Sequence, residues 1–172
     1  MADNDLHDFE HATFTHEGKS RTIFRQGSGP AVIVDSGLGM AVDDRLVAPV
    51  LSQPGLPLGF TARQKGSIDV SSDDLDRIKQ RCAAGLSVMG LRFRGDRRSP
   101  AERFDFLRAQ LGDAFIAIEL DDAAANPDGV LSAHSVLTEH LIDEPGEPTQ
   151  AALHRVLDFL AERLEVPGRI DR

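Results

Sequence analysis

Between Ser71 and Leu164 the chain alternates short, almost wholly apolar runs with segments whose apolar residues recur three or four apart. This alternation constrains the fold more than any other feature. Continuous apolar runs suit strands buried on both faces, and such strands belong to parallel sheets covered by helices. Leu86 to Phe93 and Ala114 to Leu120 are runs of this kind. Ser71 and Ser72, followed by Asp73 and Asp74, mark a helix start with negative charge at the positive end of the dipole. Leu75, Ile78 and Cys82 share one face of that helix, and Gly85 ends it. Ser99-Pro100-Ala101-Glu102 combines an N-cap serine, a first-turn proline and a capping-box glutamate. Phe104, Leu107 and Leu111 then form a buried stripe that Gly112 stops. A last helix carries Leu153, Val156, Leu157, Leu160 and Leu164 on one face. The expected class is α/β, a mostly parallel sheet flanked by helices.

Upstream, the first eight residues are acidic and polar and read as a tail, leaving residues 9–172 as a single domain. Glu10 to His16 and Ser20 to Arg25, separated by Glu17-Gly18-Lys19, predict an N-terminal antiparallel hairpin. Ala31 to Val34 and Leu46 to Leu51 are short apolar runs that read as buried strands, although Pro49 removes one donor from the second. Gln53 to Gly66 is a loop rich in glycine and proline. With 28 acidic and 19 basic residues the formal charge is −9, which argues against nucleic acid or an anionic membrane surface as partner. The longest apolar stretches run about five to eight residues, against roughly 20 needed to span a bilayer. The N-terminus has no export signal, so the expected location is cytoplasmic. Cys82 is the single cysteine, which excludes an internal disulfide and a multi-cysteine metal site.

Ligands of open parallel sheets bind beyond the carboxyl ends of the strands. After the run ending at Phe93 comes Arg94-Gly95-Asp96-Arg97-Arg98, and after Leu120 a long loop reaches Ala133-His134-Ser135. An acid after one strand and a histidine after the next follow the chain order of the last two members of an α/β-hydrolase triad. In that arrangement Asp96 holds the tautomer of the imidazole, and His134 presents its other nitrogen as a general base. Asp121 and Asp122 are the competing acids. Arg92, Arg94, Arg97 and Arg98 surround Asp96, either to receive an anionic substrate or to form structural ion pairs.

From Leu46 to Leu164 the chain resembles the C-terminal part of the dienelactone hydrolase family. The likeness rests on Leu46-Val47-Ala48-Pro49-Val50-Leu51-Ser52-Gln53-Pro54, on Gly90-Leu91-Arg92-Phe93-Arg94-Gly95-Asp96, and on Ala133-His134-Ser135-Val136-Leu137-Thr138. The hairpin and Pro30-Ala31-Val32-Ile33-Val34 resemble the family's N-terminal part. The resemblance implies a shortened α/β-hydrolase-like fold, with Asp96 and His134 at the acid and base positions of a Cys-His-Asp or Ser-His-Asp triad. It also implies a small ester or lactone as ligand and no cofactor. Where the family carries a Gly-x-Cys-x-Gly nucleophile elbow and its flanking elements, only five residues separate Val34 from Met40 here. The early glutamate motif is missing too, so the chain looks like an internally deleted member.

Two residues compete for the missing role. Cys82 lies on the apolar stripe of its helix and reads as a small core residue. Ser36 follows a strand in a tight turn, but Val34 and Leu38 stand where an elbow needs glycine. His7, His11 and His16 form a solvated stretch without zinc-protease spacing. The expectation is therefore a hydrolase with weak or no activity, or a non-catalytic binding or assembly protein on the same scaffold. Loss of the central strands leaves a sheet edge open, which predicts a homodimer.

Overall fold

A computed structural model describes residues 10–16, 19–25, 38–55, 61, 66–68, 70–130 and 132–164, the first two stretches by backbone alone. The chain divides into two compact units, Met1–Ala31 and Val32–Arg172. In the first, β1 (Glu10–His16) and β2 (Lys19–Arg25) pair antiparallel, with Glu10 opposite Arg25 and His16 opposite Lys19. This is the expected hairpin. The acidic tail, His7, the Ala31–Val34 run and Ser36 lie outside the described residues.

In the second unit β3 (Val50–Ser52), β4 (Val88–Phe93) and β5 (Phe115–Leu120) form a parallel sheet in that order. The first strand is shorter than its apolar run suggests. Pro49 has no N–H to place in the ladder, and it takes part through its carbonyl alone, accepting from Met89 N at 3.0 Å. Helix α1 (Ser72–Ala83) joins β3 to β4, and its N-cap Ser71 accepts from Asp74 N at 3.1 Å. Gly85 leaves α1 at φ 110°, a conformation open to glycine at little cost. Helix α2 (Ala101–Leu111) joins β4 to β5. Its cap is Pro100 rather than Ser99, a correction to the capping box. The first helical residue is Ala101, so the serine lies one position too early to reach the orphan amides. Among the described residues the Ser99 hydroxyl is buried with no hydrogen-bond partner. Helix α3 (Pro148–Arg163) closes the unit.

Alternating side chains of β4 build two cores. Val88 points to the layer of α1 and α2, with Leu51, Ile78, Phe104, Leu107 and Phe115. Met89, Leu91 and Phe93 point the other way, against Val136 and against Ala152, Val156 and Phe159 of α3. Both crossover helices therefore share one face, as right-handed crossovers running in one direction require. Gly90 makes room for an edge-to-face pair of Phe104 and Phe115, with centroids 5.4 Å apart; a Cβ there would sit 2.8 Å from the Phe115 ring. The buried stripe of α3 is Thr149, Ala152, Val156 and Phe159, and Leu157 is 51 % exposed. That corrects the expected leucine face by about one residue's rotation. Phe159 and the small Ala152 share one core with Phe93, and Leu160 packs against it from a partly buried position. Among the described helices none is long and apolar enough to cross a membrane.

Candidate active site

The carboxyl end of β4 leads into a turn held by several backbone and side-chain hydrogen bonds. Arg94 N extends the ladder to Leu120 O at 2.8 Å, and Asp96 N turns back to Phe93 O at 3.2 Å. Between them Gly95 N donates to Asp122 Oδ1 at 2.8 Å. A Cβ on Gly95 would fall 1.9 Å from Asp122 Oδ2, so this approach excludes a side chain unless the carboxylate moves. Arg92, the last inward residue but one of β4, is buried and grips both ends of the turn. Its Nε donates to Ser99 O at 2.8 Å and its Nη2 to Arg94 O at 2.6 Å. Its Nη1 donates to Glu119 Oε1 at 2.6 Å, and the other Glu119 oxygen accepts from Arg108. Burial by itself would raise the Glu119 carboxyl; the bonds from Arg108 and Arg92 outweigh it and hold the group below its ordinary range.

This scaffold places Asp96 with a side chain only 2 % exposed. Its Oδ1 accepts from Arg98 N at 2.9 Å, and its Oδ2 stands 2.6 Å from Nδ1 of His134, whose side chain is 19 % exposed. An ionised carboxylate can only accept, so Nδ1 carries the proton and Nε2 of the neutral ring is left with the lone pair. Among the described residues nothing hydrogen-bonds to that Nε2. The sequence-derived pair is thus brought into direct contact across 38 residues of chain.

The competing acids are occupied elsewhere. Asp121 caps the 3-10 turn Asp122–Ala124 by accepting from Ala123 N at 2.9 Å, and Asp122 anchors Gly95. The arginine cluster divides. Arg92 is structural, and Arg98 reaches from the Asp96 turn to Ser132 O at 3.2 Å, tying the acid's loop to the base's loop. Arg94 and Arg97 are exposed.

The loop that carries His134 is closed by a residue that sequence reasoning missed. His140, buried to 1 % exposure, accepts from Ser135 N on its Nδ1 at 3.3 Å. Its backbone N donates to Ser135 O at 3.1 Å, and its carbonyl accepts from Asn126 N at 3.0 Å. No spacing or motif marks this histidine, since the bond it makes is local to a loop without periodicity.

Cys82 stands at the wrong end. It sits in the last turn of α1, before the sheet's amino edge, and β4 with its six residues separates it from Asp96 by about 20 Å. Burial pushes its thiol up, against a weaker opposing pull from Arg81, which keeps it protonated and a poor nucleophile. At the carboxyl end, Ser52 on β3 donates its hydroxyl to the Gln53 carboxamide. No group of three metal-ligating side chains occurs among the described residues. A cavity of about 400 Å³ opens at the amino end, lined by Asp44, Val47, Arg81, Ala84, Gly85, Leu86 and Arg163, away from the acid–base pair. Comparison with family profiles, curated proteins and solved structures yields no match to this chain.

Proposed function

We propose that this protein is a dienelactone hydrolase-like enzyme of low turnover, hydrolysing a small carboxylic ester or lactone with His134 as general base. The observation that carries this reading is the 2.6 Å contact between the buried Asp96 carboxylate and His134 Nδ1, beyond the carboxyl ends of parallel strands, with the other ring nitrogen unengaged among the described residues. In the proposed step Nε2 takes a proton from water as its oxygen bonds to the carbonyl carbon, and the carbonyl electrons move to oxygen. Asp96 stabilises the imidazolium so formed. Collapse of the tetrahedral intermediate breaks the ester C–O bond, and the proton on Nε2 passes to the leaving alkoxide, giving acid and alcohol. A group acting only by proton transfer contributes about 10²–10⁴-fold, so the expected kcat on an activated phenyl ester lies below about 1 s⁻¹, under the usual enzyme range. Steady-state hydrolysis by the whole chain and by His134→Gln tests the reading. Equal rates in the two would overturn it.

A second reading, a non-catalytic binding or assembly protein, is favoured by one observation: no described hydroxyl or thiol bonds to His134. Ester binding without turnover in calorimetry would select it. We further propose a cytoplasmic homodimer. Among the described residues the outer edge of β3 pairs with no strand, and a second copy is the proposed cover. A monomer mass by light scattering, unchanged on concentration, would remove the dimer and leave the hydrolase reading standing.

A further inference from the structure

We infer that His140 is a positioning residue for His134, clamping the peptide that follows the base. This rests on the reading of His134 as the general base. Ser135 is gripped through both of its backbone polar groups by one residue: its N–H, in the peptide that follows His134, donates to His140 Nδ1 at 3.3 Å, and its C=O, in the next peptide, accepts from His140 N at 3.1 Å. The Cα of His134 lies one peptide away from this clamp. Beyond it Val136 is fully buried against Phe93 and α3, so the chain is pinned again immediately downstream.

The clamp itself has a rigid seat. The His140 ring packs edge-on to Phe93, with centroids 6.0 Å apart and planes at 73°. Gly129 also lies close against the ring, where a Cβ would fall 2.6 Å from Nε2 and 2.7 Å from Cδ2. Asn126 N, donating to His140 O at 3.0 Å, ties in the start of the same loop. Phe93 is also the last residue of the strand that delivers Asp96, so one side chain sets the height of both members of the pair. Because Ser135 N donates to Nδ1, that nitrogen must be unprotonated. The role asked of this ring is that of an acceptor held in a fixed place, and a phenyl ring of similar volume cannot fill it.

The test is the low-field proton resonance of the His134 Nδ1–H bonded to Asp96, assigned by its loss in His134→Gln. His140→Phe keeps the contact with Phe93 and removes the acceptor, and the resonance is expected to disappear by exchange. His140→Asn places a carbonyl oxygen near the Nδ1 position and is expected to retain it. Gly129→Ala displaces the ring without touching either partner and is expected to lose it. With all variants shown folded by circular dichroism, an unmoved resonance in His140→Phe would overturn the inference. If His140→Phe does not fold, the other two replace it: loss in Gly129→Ala with retention in His140→Asn supports the clamp, and any other pattern overturns it. On the ester substrate, kcat in His140→Phe is expected to fall about 100-fold, the scale of a 1 Å misplacement, with KM within about twofold and recovery in His140→Asn. A wild-type chain without ester turnover would sink the hydrolase reading and leave the resonance to judge the clamp.

Discussion

The two ends of the parallel sheet solve the same problem with different residues. At each end a largely buried arginine satisfies carbonyls that regular structure leaves unpaired. At the amino end Arg81 donates to Ala41 O, Asp43 O, Asp44 O and Leu46 O, closing the stretch that follows the 3-10 turn Leu38–Val42. Arg163 does likewise with Gly85 O at 3.2 Å and Ser87 Oγ at 2.9 Å. At the carboxyl end Arg92 serves Arg94 O and Ser99 O and also meets Glu119, and the loop it closes holds a buried carboxylate against an imidazole that is largely buried. The amino end spends its donors mostly on backbone carbonyls, with the Ser87 hydroxyl and the Asp44 carboxylate as further partners. At the carboxyl end one ring nitrogen of the pair, His134 Nε2, has no hydrogen-bond partner among the described residues, and the proposed chemistry rests on that difference.

The sharpest way to break the comparison is Asp96→Asn. It keeps the acceptor for Arg98 N but removes the charge that holds the tautomer and stabilises the imidazolium. The expected loss is about 100-fold in ester kcat, or about 2.7 kcal/mol in the barrier, read against an unchanged KM. A loss under about threefold would show that His134 acts without its acid.

Arg81→Gln probes the other end. Ala41 O and Leu46 O lose this part-buried donor, while Asp43 O keeps Leu46 N and Asp44 O is exposed; each buried group left unsatisfied costs about 1–3 kcal/mol. Relaxation and water reduce the sum, so unfolding by urea should show a loss of about 3 kcal/mol, with ester kcat within about twofold of wild type. A drop in activity as large as that in Asp96→Asn would erase the division of labour between the ends.

Glu119→Gln tests the ion pair under the carboxyl end. Its carboxyl is held below the ordinary 4.5, since the bonds from Arg108 and Arg92 overcome the cost of burial. A depressed carboxylate stabilises the fold above its unfolded value, and the contribution is lost as pH falls through the folded value. The variant is therefore expected to be about 2 kcal/mol less stable at pH 7, with the gap closing progressively below pH 4.5. A gap that stays constant down to pH 3 would mean that the charge on Glu119 contributes nothing.

Cys82 provides the smallest effect. The pushed-up thiol should alkylate slowly at pH 8 in the native chain and quickly in urea. Cys82→Ala should cost about 1 kcal/mol through a small cavity, and ester turnover should not change. Fast native alkylation, or a loss of turnover, would return the cysteine to the list of nucleophiles.

How much of this was legible beforehand varies with the range of the interaction. Asp96 and His134 stood out because strand ends are marked by the apolar runs before them, and the family resemblance pointed to the same two positions. The resemblance already preferred Asp96 over Asp122; the structure adds that the Gly95 amide holds Asp122, which lies in the 3-10 turn after β5. Ser99 resembled a cap because capping-box spacing is a local signal, but the helix began one residue later, where Arg92 holds Ser99 O. The α3 face was right at Val156 and Leu160 but wrong at Leu157, because leucine spacing does not register that Phe159 and Ala152 join the core with Phe93.

Local chemistry along the chain was enough to determined the order of elements, the helix stops at Gly85 and Gly112, the parallel sheet and the strand ends where an acid and a base emerge. These depend on periodicity, on backbone freedom at glycine and on the missing N–H of proline, all of which act within a few residues. Tertiary structure alone decided what occupies the competing Asp122, which arginines are buried as clamps, and that His140 grips the backbone beside His134. Those outcomes turn on distances between segments tens of residues apart, and such distances exist only once two cores have packed against opposite faces of one sheet.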